Sequence, residues 1–224
     1  MQNETIKEKM NAQQQGLVEK LTRVSAALMP SLPYHNFNHV VDVYSIATLY
    51  AIEERVAPEE MFMLQSAAML HDIILVPMHP ENEQRSAQFA RTYLPQLGYT
   101  PAQTETVSRL ILATKLPTNP QDLLERIICD ADIDNLGRPD FFQKAESVRV
   151  ENGVPEGLQW YKGLLGFLDG MRFYTEAAKG NRTAGKQVNR QKLLGIIKSY
   201  ENGSGVSPKN KIYRVTGNEA LQSA

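Results

Sequence analysis

Apolar residues along this chain recur at three- and four-residue intervals rather than at alternate positions, the spacing that lays one stripe along a helix. Leu17, Leu21, Val24 and Leu28 form one stripe, and Val40, Val43, Ala47 and Tyr50 a second. Met61, Leu64, Ala67 and Ala68 form a third, Phe89, Ala90, Tyr93 and Leu97 a fourth, and Val107, Leu110, Ile111 and Thr114 a fifth. The punctuation agrees: Pro58, Pro101 and Pro155 stand where helices can begin, Thr100 where one is capped, and Gly98 and Gly137 where preceding helices can end. A helix beginning near Pro33 sets His35 and His39 one turn apart on one face. No segment reads convincingly as a strand, so the pattern predicts an all-α fold.

Two connections exceed a bare turn, Ile73 to Pro80 and Lys115 to Pro120, and each carries prolines that fit the border of a pocket. A length of 224 residues suffices for one compact domain with a sizeable core. We assign residues 1–202 to it and read 203–224, with its Gly-Ser-Gly start and short apolar patch at Ile212, Tyr213 and Val215, as a loosely ordered tail. The aromatic set Phe141, Phe142, Trp160, Tyr161, Phe167 and Phe173 reads as core, and Lys186, Arg190, Lys192 and Lys198 as a solvated helix face.

Charge narrows the partners. With 24 basic against 25 acidic side chains, bulk electrostatics recommend neither nucleic acid nor an anionic membrane, so any anion must be gripped locally. The longest apolar runs, Ala67 to Leu70 and Ile73 to Val76, fall short of the roughly 20 residues of a membrane span. The polar start, Met1 to Thr5, lacks the pattern of a signal peptide, and the single Cys129 excludes an internal disulfide; both fit a reducing cytoplasm.

All four histidines, His35, His39, His71 and His79, lie in the first 79 residues. His71 and Asp72 close an apolar helical stretch, and adjacent helical positions diverge by about 100°, so both can reach one cation only if other helices complete it. A completing carboxylate stands in Cys129-Asp130-Ala131-Asp132-Ile133-Asp134, where three alternate aspartates beside a core are costly without a nearby cation. Either Asp130 or Asp132 is the ligand, and the other would orient a ligand histidine. Two imidazoles and two carboxylates suit a borderline-to-hard divalent cation, with Mn, Mg, Fe, Co, Ni and Zn undistinguished, and leave positions for water and substrate.

Tyr34-His35-Asn36-Phe37-Asn38-His39-Val40, then Leu70-His71-Asp72-Ile73, then Asp130-Ala131-Asp132 together resemble the H…HD…D signature of the HD-domain superfamily. Glu81 to Ala87 and Asp132 to Arg138 are similar to further segments of its predicted metal-dependent phosphohydrolase branch, so the resemblance covers residues 34–150. It implies a single-domain helical HD bundle whose metal ligands are His39, His71, Asp72 and Asp132. It also implies hydrolysis of a small phosphate ester or nucleotide by metal-activated water. His35 resembles the first histidine of the His-Asn-x-x-His segment of cyclic-nucleotide phosphodiesterases, a general acid there.

HD proteins with a full two-metal site, the HD-GYP phosphodiesterases and the diiron oxygenases among them, generally add two histidines between the HD pair and the last aspartate. Only His79 stands in that interval, which favours one tightly held ion with a second, weaker one at most. Glu83 joins His35 as a catalytic candidate, and Arg85 and Arg138 are candidate phosphate grips because a guanidinium binds two oxygens at once. The alternatives are a non-catalytic HD-type nucleotide-binding signalling module and an HD-type iron oxygenase.

Overall fold

The structure, a computed structural model, describes residues 11–203, so nearly all of the expected tail at 203–224 lies outside the described residues. Nine α-helices and no strand are found among those residues. By contact they divide into two compact units, one running to Asp134 and including Phe173–Asn181, the other comprising Asn135–Arg172 and the residues from Arg182 onward.

The first unit holds α1 (Ala12–Leu28), α2 (Phe37–Glu53), α3 (Pro58–Leu70), α4 (Asn82–Tyr93), α5 (Pro101–Ala113) and α6 (Leu123–Asp132). Its centre is α3, which packs against α1, α2, α4, α5 and α6. Leu64 through Leu70 are buried without interruption, as expected of a helix apolar all round rather than on one stripe. The two glutamines that complete capping boxes at the starts of α1 and α5 converge on its first turn. Gln14 Nε2 and Gln103 Nε2, the latter at 2.6 Å, both donate to the carboxylate of Glu59. Pro58 and Pro101 occupy first turns, Thr100 caps α5, and Gly98 adopts the left-handed conformation (φ 93°) beyond a short 3-10 turn at Leu94–Leu97.

Two expected helix starts move. Asn36 rather than a residue near Pro33 caps α2, because its side-chain oxygen accepts from the N–H groups of Asn38 and His39; His35 therefore precedes the helix. The helix expected at Pro155 begins only at Leu158.

The second unit contains α7 (Phe141–Glu151), α8 (Leu158–Gly170) and most of α9 (Glu176–Glu201). Phe141, Tyr161, Leu164, Leu168 and Leu193 are buried, whereas Phe167 is 38% exposed and departs from the expected core set. The basic face of α9 is partly engaged: Lys186 donates to the Met171 carbonyl, and Arg190 pairs with Asp169 at 2.7 Å.

Helix α9 presses on the Asp134–Gly137 turn so closely that a Cβ on Gly185 would lie 2.0 Å from the Gly137 carbonyl oxygen. Asn189 Nδ2 bridges the Leu136 and Arg138 carbonyls at the same crossing. Because the obstructing atom is backbone, Gly185→Ala is expected to cost about 3 kcal/mol, the upper end of ordinary overpacking. Gly195, with open space at its Cβ, is the control. Gly195→Ala should raise the melting temperature slightly through helix propensity, and equal melting of the two variants would refute the close crossing.

Candidate metal centre

Four side chains from three helices meet at one point. His39 is the third residue of α2, His71 caps the C-terminus of α3, Asp72 follows it, and Asp132 ends α6. The C-terminal ends of α3 and α6 carry the negative poles of their dipoles, so the backbone itself favours a cation there. His39 and His71 are buried, Asp72 nearly so, and the Asp132 side chain, 25% exposed, is the open side.

The donor atoms face one another. His39 Nε2 lies 3.3 Å from His71 Nε2, 3.5 Å from Asp72 Oδ2 and 3.2 Å from Asp132 Oδ1. His71 Nε2 lies 3.2 Å from Asp72 Oδ2 and 3.5 Å from Asp132 Oδ1. Donors about 2.1 Å from one ion stand about 3.0 Å apart along an octahedral edge and about 3.4 Å along a tetrahedral one, so this set fits a divalent cation. The tautomer fits too. His71 Nδ1 is 2.9 Å from the Ala68 carbonyl, which can only accept, so Nδ1 carries the proton and leaves the Nε2 lone pair for a metal.

Electrostatics point the same way. Burial opposes charge on both imidazoles, yet hydrogen bonds donated to Asp132 and Asp72 hold His39 above its usual range, and the Asp72 charge, with hydrogen bonds donated to both carboxylates, holds His71 well above it. Burial likewise opposes the carboxylates, but the His71 charge and the two histidines' hydrogen bonds hold Asp72 well below the usual range, and hydrogen bonds from His39 and His71 do so for Asp132. The two Nε2 atoms stand 3.3 Å apart, so meeting those carboxylates with a proton on each would set like charges against one another. A divalent ion supplies the same positive charge without that repulsion.

His35 stands beside this set rather than on the helix face expected for it. Its ring nitrogen, a His39 nitrogen and an Asp72 oxygen lie within 4.8 Å of one another, and its ring is 5.5 Å from the His39 ring, centroid to centroid. The Tyr34 ring touches both, 4.8 Å from each. Glu83 and Arg85 do not join the cluster. Glu83 is half-buried in the first turn of α4, and exposed Arg85 directs its guanidinium to His79 Nε2 at 3.0 Å. Arg138 belongs to the second unit, its guanidinium held by both oxygens of Asp140 at 3.0 and 2.8 Å.

The aspartate run separates into three roles. Asp132 alone faces the histidines. Asp130, about 200° round the helix from it, accepts from the Tyr174 and Thr175 N–H groups at 2.8 Å and the Thr175 hydroxyl at 2.7 Å. Burial pushes the Asp130 carboxyl up, against those hydrogen bonds. Asp130 therefore orients no ligand histidine; the partner that fixes His71 is the Ala68 carbonyl. Asp134 accepts the Tyr50 hydroxyl, both groups buried. Cys129 donates to the Ala113 carbonyl, its thiol pushed up by burial, as expected of an inert core cysteine.

The described residues are thus all-helical, and the first unit holds a mixed imidazole and carboxylate cluster that could hold a divalent cation. The HD domain family model matches residues 36–134, a span that contains all four clustered residues. Among solved structures it resembles Bacillus subtilis YpgQ in complex with ADP, with 17% identity over 85% of this chain and 96% of that one and a TM-score of 0.62. It also resembles the Lin1889 protein of Listeria innocua, with 15% identity over 84% and 96% and a TM-score of 0.60. No curated protein matches the sequence. No described helix is long and apolar enough to cross a membrane.

Proposed function

We propose that the chain is a metal-dependent phosphohydrolase acting on a small phosphate ester or nucleotide, with His39, His71, Asp72 and Asp132 as the cation ligands. The observation that carries this reading is the convergence of two imidazole nitrogens and two carboxylate oxygens at ligand spacing, with one side open. A divalent cation held there would supply Lewis acidity toward water and a phosphoryl oxygen. The protein's own groups do the rest. His71 is kept as a ligand by the Ala68 carbonyl. The exposed edge of Asp132 leaves room for water and the phosphoryl group, and His35 donates a proton to the leaving oxygen. Arg85 and Arg138 remain the proposed grips for substrate oxygens and Glu83 an auxiliary carboxylate, none of them within the cluster.

Metal analysis of the purified protein, followed by turnover assays on phosphorylated metabolites, tests this reading. Nucleoside di- and triphosphates come first, since the YpgQ structure holds ADP. His35→Gln separates proton donation from ligation. We expect unchanged metal content, a loss of about 100-fold or more on substrates with basic leaving groups, and little loss on nitrophenyl esters, whose leaving group needs no proton. Equal losses on both would make His35 a positioning group, and lost metal would make it a ligand.

A further inference from the structure

His35 sits in the bend that precedes α2, on a segment with no helical hydrogen bonds of its own, so something else must hold it beside His39. The Asn36 side chain is placed to contribute. Asn36 Oδ1 accepts from the N–H groups of Asn38 at 2.9 Å and His39 at 3.4 Å, which ties it to the helix turn that carries the ligand. Its Nδ2 reaches the other way, donating to the Leu32 carbonyl at 2.8 Å and, more weakly, to the Pro33 carbonyl at 3.5 Å. Its own N–H meets the Tyr34 carbonyl at 3.0 Å. Between those anchors the Tyr34, His35 and His39 rings touch pairwise: Tyr34 and His35 edge to face, His35 and His39 edge to face, and Tyr34 tilted over His39.

We propose that Asn36 is the positioning residue of the Tyr34–His35 arm, one amide that fixes where His35 stands relative to the cation ligands. Its effect on turnover rests on the reading of His35 as proton donor; its effect on geometry does not. An ordinary N-cap needs only the oxygen, and Asp and Ser cap nearly as well as Asn. An Asp carboxylate has no donor, and the single short Ser hydroxyl cannot cap the helix and also take the place of Nδ2 at the Leu32 and Pro33 carbonyls, so substitution by either keeps the cap and removes the grip on the arm.

The experiment compares Asn36→Asp and Asn36→Ser with the wild-type chain by metal content, far-ultraviolet circular dichroism, ring-to-ring nuclear Overhauser effects between Tyr34 and His39, and kinetics on the two leaving-group classes. Both variants are expected to keep helicity and bound metal while the Overhauser effects between the Tyr34 and His39 rings, whose centroids stand 4.8 Å apart in the wild type, disappear. Both should also lose about 100-fold on basic leaving groups with little change on nitrophenyl esters, and adding His35→Gln should produce no further loss. Overhauser effects that persist in both variants overturn the proposal, whatever the kinetics. Lost metal or lost helicity in both also overturns it, since Asn36 would then be a structural cap. Vanished Overhauser effects together with equal kinetic losses on the two substrate classes uphold the proposal and refute His35 as donor, so the two failures are distinct.

Discussion

Asp72→Ala, and equally His71→Ala, is expected to yield a protein with the wild-type helical spectrum, no bound cation and no measurable turnover. Each substitution removes one of four donors and leaves the other three beside a gap. Loss of a merely supporting hydrogen-bond partner typically lowers metal affinity 10- to 100-fold, so loss of a donor should exceed about 100-fold. The melting temperature of the metal-supplemented protein should fall as well. A cation present at about 100 times its dissociation constant contributes about 2.7 kcal/mol to the folded state, and the variants forfeit it. Helicity should survive because His71 and Asp72 follow the last residue of α3. Metal analysis by mass spectrometry decides the matter: full occupancy in both variants would remove these residues from the site.

The second large effect separates two aspartates that stand two residues apart. Asp132→Asn is expected to abolish turnover and weaken cation binding, because a neutral amide replaces the one carboxylate on the open side of the cluster. Asp130→Asn is expected to keep both at low temperature yet to unfold earlier. Its carboxylate accepts three hydrogen bonds from Tyr174 and Thr175, and an amide can present its oxygen to only some of them while its NH2 opposes the remainder. Leaving a buried donor unmet costs about 1–3 kcal/mol, more where the lost partner was charged. Thermal melts and metal titrations of the two variants should therefore give opposite rankings. If metal affinity falls only with Asp130→Asn, the ligand assignment moves to Asp130.

The sequence made the helical class legible because its signal is periodic and local: stripes such as Val40, Val43, Ala47 and Tyr50 are buried along α2 as spaced. The cost of three alternate aspartates beside a core made a cation site legible but left Asp130 and Asp132 open; the set His39, His71, Asp72 and Asp132 came from the resemblance to the H…HD…D signature. The origin of His35 was not, since Pro33 and Asn36 are both plausible starts and only the side-chain hydrogen bonds of Asn36 decide between them. The split of the Asp130–Asp132–Asp134 run was hidden for a different reason. Its partners, Thr175 and Tyr50, lie 45 and 84 residues away, and no local spacing announces them. Glu83 and Arg85 looked suited to phosphate chemistry by residue type alone, which carries no information about where α4 points them.

Helix α3 has ties at both of its ends. Glu59 in its first turn receives the capping glutamines of α1 and α5, and its last residue leads into His71 and Asp72. A helix so enclosed exchanges its central amide hydrogens only when the whole unit opens, whereas terminal and exposed groups fluctuate freely. His71 and Asp72, the two proposed ligands that follow it, are therefore anchored to a firmly held element. With Asp132 the exposed member of the cluster, the proposed site predicts that a cation would enter and leave past that one carboxylate, whose release would then set the ion's residence time.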